Sequence, residues 1–405
     1  MDLTGEEDRI LNGDPSLALT KAMGILVNYG ELQEAKRLIP IKNAHVSGVS
    51  YLTAGEALVR FLEDFVRGKG KAVVPSTLNP AGMDMDQWSK MGIPPEFAEK
   101  QDRIIELFDE LGISLTCSCI PYEDGTSDIG LGDHLSWGES NAVIWANSIV
   151  GARTNREGGM SCLASALVGK TPEWGMHLPE NRIPTLEVEV KGRMSPLHYD
   201  LLGALIGSNY NSEIAYFNGI RPRTNDLLKH LGAGLASKGG HAIFHIEGIT
   251  PEHRLIEISR SKDAIKEKLS LRAKDLDRAK DEIYPESSDD IDAFVLGCPQ
   301  FGPREFRRLG KALKGKHILP GKRILVFTSR AMRSMVDPRL IAKLEESGVE
   351  IYNDTCMVVT PLASMGFKKV GTDSAKAAHY IPNLPKVKAA ILPLEIIAEK
   401  VTRSI

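Results

Sequence analysis

The stretch from residue 293 to residue 352 constrains the fold more than any other part of this chain. Short apolar, β-branched runs at 293–296, 324–327 and 349–352 alternate with helical patterns at 304–313 and 339–347, which spells β-α-β-α-β. Such units close into parallel sheets with helices packed on them. Further runs of the same kind at 72–74, 113–116, 186–190 and 242–246 predict that most of the chain follows this plan. The expected class is α/β, multi-lobed, in α/β/α layers with mostly parallel sheets. Residues 262–281 are densely charged and predict a solvated helix, and Tyr284-Pro285-Glu286-Ser287-Ser288-Asp289-Asp290 reads as a linker. A boundary is therefore expected near residue 285. It divides an N-terminal α/β region, 1–285, large enough for two lobes, from a C-terminal α/β lobe, 286–405.

Three cysteines stand just after runs that read as buried strands. Cys119 lies in Thr116-Cys117-Ser118-Cys119-Ile120-Pro121-Tyr122, Cys298 in Leu296-Gly297-Cys298-Pro299-Gln300, and Cys356 in Asp354-Thr355-Cys356-Met357. Ligand sites of parallel sheets gather at such strand ends. Three thiolates converging there suit a metal centre. A 4Fe-4S cluster with three protein ligands keeps one iron open, and an open iron is a Lewis acid for a substrate hydroxyl, as a dehydratase needs. Of the neighbours Cys117 and Cys119, the second is nearer the end of its run and is followed by the turn-forming Pro121, so Cys119 is the expected ligand. Cys162, inside the apolar run 160–167, reads as a small buried hydrophobe.

Composition excludes more than it identifies. A chain of 405 residues, 42% hydrophobic, can bury a sizeable core. Its 50 basic and 53 acidic residues leave a formal net charge of −3, so no bulk field recruits nucleic acid or anionic membrane. Five widely spaced cysteines make no disulfide scaffold and fit a reducing compartment. The first seven residues are acidic and lack an apolar segment, so no signal peptide is expected, and no stretch approaches the roughly 20 apolar residues of a membrane span. A cytoplasmic enzyme is expected. Thr4 and Glu7 have the spacing of a capping box, which predicts a helix start.

Common nucleotide and hydrolase motifs fail on inspection. Gly232-Ala233-Gly234 lacks the third glycine of a dinucleotide fingerprint, since Ser237 occupies that place. Gly169-Lys170-Thr171 has the tail of a phosphate loop, but Ala164 stands where the leading glycine belongs. Gly48-Val49-Ser50-Tyr51-Leu52 ends in Leu52 and so is no nucleophile elbow. Cys117 and Cys119 have no second close pair with which to build a zinc site.

Longer segments carry a family likeness. Residues 116–122, Gly132-Asp133-His134 through Trp137-Gly138-Glu139-Ser140, Ala146-Asn147-Ser148 with Gly151-Ala152-Arg153-Thr154-Asn155-Arg156, and Gly371-Thr372-Asp373-Ser374-Ala375-Lys376 with His379-Tyr380 resemble the aconitase X family over essentially the whole chain. The resemblance implies an aconitase-like fold and an iron–sulfur hydro-lyase. It implies removal of water from (R)-5-phosphomevalonate to give trans-anhydromevalonate 5-phosphate, a step of the archaeal mevalonate pathway to isoprenoids. The cluster ligands it implies are Cys119, Cys298 and Cys356, and the substrate contacts are Gly48, Val49, Ser50, Asn79, Pro80, Glu139, Ser140 and Lys376. Members of the two-subunit type take a catalytic serine from a separate small subunit, so a heterodimer or a multiple of it is implied. Other members dehydrate cis-3-hydroxy-L-proline, and aconitase-like scaffolds also serve as non-catalytic iron–sulfur sensors. Both remain alternatives.

The same positions make chemical sense by themselves. His45-Val46-Ser47-Gly48-Val49-Ser50 is a small-residue turn whose N–H groups suit an anion, or an ordinary strand-to-helix turn. Asn79-Pro80 favours a turn. Gly138-Glu139-Ser140 opens a helical run, where unpaired N–H groups attract anions and a first-turn carboxylate suits the dipole. Arg153, Asn155 and Arg156 follow that helix; arginine grips carboxylate or phosphate, but a basic helix end has the same look. Lys376 sits in a small, polar run, and only the family likeness lifts it above surface decoration. His134 and His379 are candidate acids near the cluster, each with a supporting hydrogen-bonding role as the plainer reading. No clear base for a C2 proton is legible, so the chain alone is expected to be inactive.

Overall fold

A computed structural model describes residues 1–13, 15–123, 125 and 128–404. Its C-terminal part is a five-stranded parallel sheet in the order Val349–Tyr352, Ile324–Phe327, Ala293–Leu296, Lys369–Thr372, Lys388–Ile391. Successive side chains of a strand point to opposite faces, so an unbroken apolar run requires cover on both. Phe294, Leu296, Ile324 and Val326 pack beneath the helices Pro303–Ala312, Pro338–Glu346 and Leu394–Val401. Ala293, Val295, Leu325 and Phe327 join the other core, shared with helices Pro196–Asn209 and Asn225–Gly239. The chain starts in mid-sheet at Ala293–Leu296, builds outward to one edge, then returns to add two strands on the other side. That reversal opens a crevice between Ala293–Leu296 and Lys369–Thr372, at their carboxyl ends.

A second, four-stranded parallel sheet has the order His245–Ile246, Ala215–Asn218, Leu186–Lys191, Glu267–Arg272. Gly232 to Gly234 lie inside helix Asn225–Gly239 and not at a strand-to-helix turn. There they serve helix packing: a methyl at Gly234 would collide with the Asp200 carbonyl, and one at Gly203 with that of Leu231.

The first 180 residues hold a three-stranded parallel sheet, Ser76–Leu78, Ala44–Val46, Ser136–Trp137, and an antiparallel pair, Leu38–Pro40 with Lys170–Pro172. Helices Leu17–Leu32, Tyr51–Arg67, Pro95–Glu110 and Gly159–Val168 surround them. The capping box at Thr4 and Glu7 is present, with Thr4 N–H donating to Glu7 at 2.7 Å and Glu7 N–H to Thr4 at 3.3 Å. No helix is long and apolar enough to cross a membrane among the described residues.

Four local expectations differ from this structure. Residues 262–281 are not one helix: Glu267–Arg272 is an edge strand, and the helix begins at Ala273. Glu-Lys-Leu-Ser-Leu-Arg alternates with period two, so Leu269 and Leu271 turn toward the core while the charges face water. Residues 72–74 form no strand, because Ala72 and Val73 donate to the helix-end carbonyls of Leu111 and Ala166, and Pro75 offers no N–H; pairing starts at Ser76. Around 113–116 only Ser114 bridges to Thr77. Of 242–246 only His245–Ile246 pairs, since the Phe244 N–H donates to the Ser148 hydroxyl at 2.8 Å and the Ala242 carbonyl accepts from Asn147 at 2.9 Å.

Candidate active site

Because the three strands Ala44–Val46, Ser76–Leu78 and Ser136–Trp137 are parallel, the segments that leave them emerge at one end of the sheet. Those segments are Ser47-Gly48, Asn79-Pro80 and Gly138-Glu139-Ser140. The C-terminal sheet sends out Gly297-Cys298, the loop bearing Cys356 and the turn before Lys376 in the same manner. The two sets enclose a cavity of about 180 Å³. Its walls include Cys119, Cys298, Cys356, Glu139, Asn79 and Lys376, together with Ser47, Gly48, Ser140, Arg156 and Tyr380.

All three thiols on the wall are buried, at 4%, 4% and 9% exposure for Cys119, Cys298 and Cys356. Burial pushes each thiol up, that of Cys356 to about 11, while the Lys376 ammonium pulls the other way on all of them. Cys117 is equally buried but is absent from the walls. Residues i and i+2 of a regular strand share a face. A left-handed φ of 44° at Cys117 breaks that regularity, and its thiol packs near the Ala81 N–H and Asp354, pushed up to about 12 by burial and then by that carboxylate. Cys162 is fully buried in the N-terminal core, its thiol against the Ser136 carbonyl at 3.5 Å.

A polar chain crosses the floor. The neutral His45 ring meets the Thr77 hydroxyl at 2.8 Å through Nδ1 and the Asn79 side-chain oxygen at 3.3 Å through Nε2. An amide oxygen only accepts, so Nε2 carries the proton. Burial holds His45 down to about 4. Asn79 donates to Glu139 Oε2 at 2.8 Å, and Lys376 donates to Glu139 Oε1 and to Asn141 Oδ1, the latter at 2.6 Å. Asn141 in turn donates to the Cys119 carbonyl at 2.8 Å. Burial would raise the Glu139 carboxyl, but the Lys376 ammonium outweighs it and holds the pKa at about 2. Burial would lower Lys376, and Glu139 reverses that too, so the pair stays ionised. Arg156 sits exposed at the rim, donating to the Ala236 carbonyl at 2.9 Å and the Tyr380 hydroxyl at 3.1 Å.

Other expected contacts lie behind the walls. The Ser50 hydroxyl accepts from Leu52 N–H, capping helix Tyr51–Arg67, and donates to the Val359 carbonyl at 2.8 Å. The Val49 carbonyl accepts from Gln101, and Pro80 is buried beside Asn79. His134 pairs with His177 at 2.9 Å, and His379 stacks edge-on against Tyr380; neither ring lines the cavity. Arg153 donates to the His177 carbonyl and Asn155 to that of Trp174, both structural ties. Ser47 and Asn141 had no sequence signal of their own beyond proximity to motif residues.

Models described as the first, second and third domains of aconitase X match residues 1–180, 184–281 and 291–403. The chain is 38% identical over 402 residues to the phosphomevalonate dehydratase large subunit of Methanosarcina mazei, covering 99% of this chain and 97% of that one. It is 31% identical to the cis-3-hydroxy-L-proline dehydratase of Hypocrea jecorina, covering 95% of this chain but 66% of that protein. The crystal structure of Thermococcus kodakaraensis aconitase X in its holo-form superposes with a TM-score of 0.89 at 37% identity, over 99% of this chain and all of that one. This chain belongs to the aconitase X family.

Proposed function

We propose that the chain is the large subunit of a phosphomevalonate dehydratase, a hydro-lyase of the mevalonate route to isoprenoids that converts (R)-5-phosphomevalonate to trans-anhydromevalonate 5-phosphate. The observation that carries this reading is the meeting of three buried cysteines with the ionised Glu139–Lys376 pair on one cavity. The likeness to the Methanosarcina mazei large subunit along nearly its full length supports the substrate.

The donor set fits an iron–sulfur cluster. Among the described residues no three His, Cys, Asp or Glu side chains come close enough to share one metal ion. Cys119, Cys298 and Cys356 would instead each take a separate iron, as in a 4Fe-4S cluster. Thiols raised by burial ionise only where positive charge compensates, which bound iron provides and Lys376 assists. When bound, such a cluster supplies one open iron as Lewis acid for the substrate's C3 hydroxyl and carboxylate.

The chain's own residues bind and orient. Lys376 spends two of its three N–H donors on Glu139 and Asn141 and keeps one for a substrate carboxylate. Arg156, steadied by Tyr380, offers a guanidinium at the rim for the phosphate. Gly48, Asn79, Glu139 and Ser140 complete the substrate wall, while Val49, Ser50 and Pro80 support it from behind. The same reading gives region 1–285 one cluster ligand and region 286–405 the other two.

Neither member of the ion pair on the wall serves as base at C2. Glu139 is a weak base at a pKa of about 2, and Lys376 is held protonated. His134 and His379 remain the candidates within the chain, but the favoured base is a serine on a separate small subunit. That the Hypocrea jecorina dehydratase runs a third beyond the matched region agrees with one function divided differently between chains. Free, unpaired cysteines suit a cytoplasmic setting.

The test is anaerobic reconstitution with iron and sulfide, with and without the small subunit, and product assays on phosphomevalonate and cis-3-hydroxy-L-proline. Turnover of phosphomevalonate only by the mixed complex is expected. Turnover of hydroxyproline alone would move the chain to the other dehydratase, and an intact cluster without turnover of either would favour the sensor. Robust dehydration by this chain alone would overturn the two-subunit reading.

A further inference from the structure

We infer that Gln300 is the positioning residue that holds the three cysteine loops in one wall, an inference that rests on the cluster reading above. Gln300 is fully buried and does not touch the cavity. Its side-chain oxygen accepts from the Cys119 N–H at 2.9 Å. The two N–H groups of its amide nitrogen are shared among the carbonyls of Cys117 at 3.2 Å, Thr328 at 3.1 Å and Thr355 at 3.1 Å. A peptide N–H demands an acceptor and carbonyls demand donors, so these partners fix which way the amide faces.

The consequence is geometric. Thr355 precedes Cys356, Cys117 and Cys119 flank one turn, and Gln300 itself follows Cys298 by two residues. One amide therefore ties the exits of all three ligand segments, one from the N-terminal region and two from the C-terminal sheet, which are far apart in sequence; Cys119 and Gln300 are separated by 181 residues. The Gln300 backbone joins in, with its N–H donating to Cys119 Sγ at 3.3 Å and its carbonyl accepting from the buried Lys229 ammonium at 3.2 Å. Lys229 is anchored by Glu305 at 2.6 Å. Preorganised ligands bind without first being ordered.

Gln300→Met keeps the volume and removes every side-chain hydrogen bond. Gln300→Glu keeps the acceptor for the Cys119 N–H but sets a carboxylate against three carbonyl oxygens. Both variants are to be compared with wild type and with Leu26→Ala, a truncation in the N-terminal core at a residue off the cavity wall, which loosens the fold without removing a candidate ligand. Iron and acid-labile sulfide per chain, titrated at limiting iron, and thermal midpoints of the metal-free chains are read for all four. Both Gln300 variants are expected to need at least tenfold more iron for half-loading, while Leu26→Ala loads normally despite a lowered midpoint. In the metal-free chains, alkylation of Cys119 should speed up at least tenfold in the Gln300 variants alone.

That alkylation arm is readable whatever the chain binds. Unchanged alkylation and wild-type iron titration in folded Gln300→Met would overturn the role of Gln300. Failure of the wild type to take up iron, with alkylation still accelerated in the variants, would overturn the cluster reading and leave Gln300 as the tie of the three loops.

Discussion

The Lys376 ammonium lies between the Glu139 carboxylate and the Asn141 side-chain oxygen, 2.6 Å from the latter, with 6% of the lysine exposed. Neither charge is tolerable there without the other. Lys376→Met is therefore expected to cost about 3–5 kcal/mol in the metal-free chain, with Glu139→Gln in the same background restoring part of it. The sign of the pH dependence changes as well. In the wild type, Glu139 titrates near 2 when folded against an ordinary 4.5, so its contribution is present above 4.5 and lost as pH falls through 2. In Lys376→Met burial is opposed by the Asn79 hydrogen bond without the ammonium, and the folded pKa rises, so the penalty of the variant grows from pH 4 to pH 7. Urea unfolding across that range checks both points, and a pH-independent penalty would refute the pairing.

Serine in place of Cys119, Cys298 or Cys356 is expected to abolish normal cluster loading, measured as iron and sulfide per chain under anaerobic conditions. Cys162→Ser, buried in the N-terminal core, should load fully. Cys117→Ser is the informative control, since its thiol faces Ala81 and Asp354 and should be dispensable to the cluster. Loss of the cluster in Cys117→Ser with retention in Cys119→Ser would exchange the two assignments.

Asn79→Ala and Ser50→Ala should fail in different ways. Asn79 touches Glu139 directly, and losing a hydrogen bond to a charged group costs about 1.5–3 kcal/mol, so kcat/KM of the mixed complex should fall roughly 10- to 100-fold at normal iron content. Ser50 caps a helix and ties the Val359 carbonyl, so its loss should appear first as about 1 kcal/mol of stability. Steady-state kinetics beside denaturant melts separate them.

Acid should destabilise the metal-free chain steeply below pH 6.5. Burial holds His45, His241 and His245 down to about 4, and His177 to about 3 with His134 adding to the effect. Each is neutral when folded and protonated when unfolded across that window, so each removes up to about 1.4 kcal/mol per pH unit as pH falls. His230 has the opposite sign: burial would lower it, but Asp200 and Glu305 raise it to about 10, so its contribution is full below 6.5 and fades as pH rises toward 10. Urea midpoints at pH 5, 7 and 9 should peak near neutrality. Equal midpoints at pH 5 and pH 7 would contradict the buried neutral rings.

Legibility followed burial. The strands at 293–296, 324–327 and 349–352 stand out because their faces are covered, and apolar residues fill every position but Glu350. Lys369–Thr372 completes the same sheet yet carries no such run: it opens on an exposed-type lysine, and at its third position only glycine leaves room for the Phe294 ring. Glu267–Arg272 was masked by its charges, which belong to an edge. In the site, cysteines and glycine-rich turns announced themselves by type and position. Gln300 and Asn141 did not, because an amide that works by tying carbonyls together has no spacing rule; its meaning exists only once distant loops have met.

That meeting has a timetable. Lys376 follows Glu139 by 237 residues, so at roughly 5–20 residues per second a ribosome takes on the order of 10–50 s to make the counter-charge for a carboxylate it has already released. Until then Glu139 keeps its water, and the walls around it stay open. Cys356 also arrives late, so a nascent chain halted before it lacks one of the three thiols of the cavity wall. On the proposed ligand set, assembly of a three-thiolate centre is thereby deferred to chains that have passed residue 356.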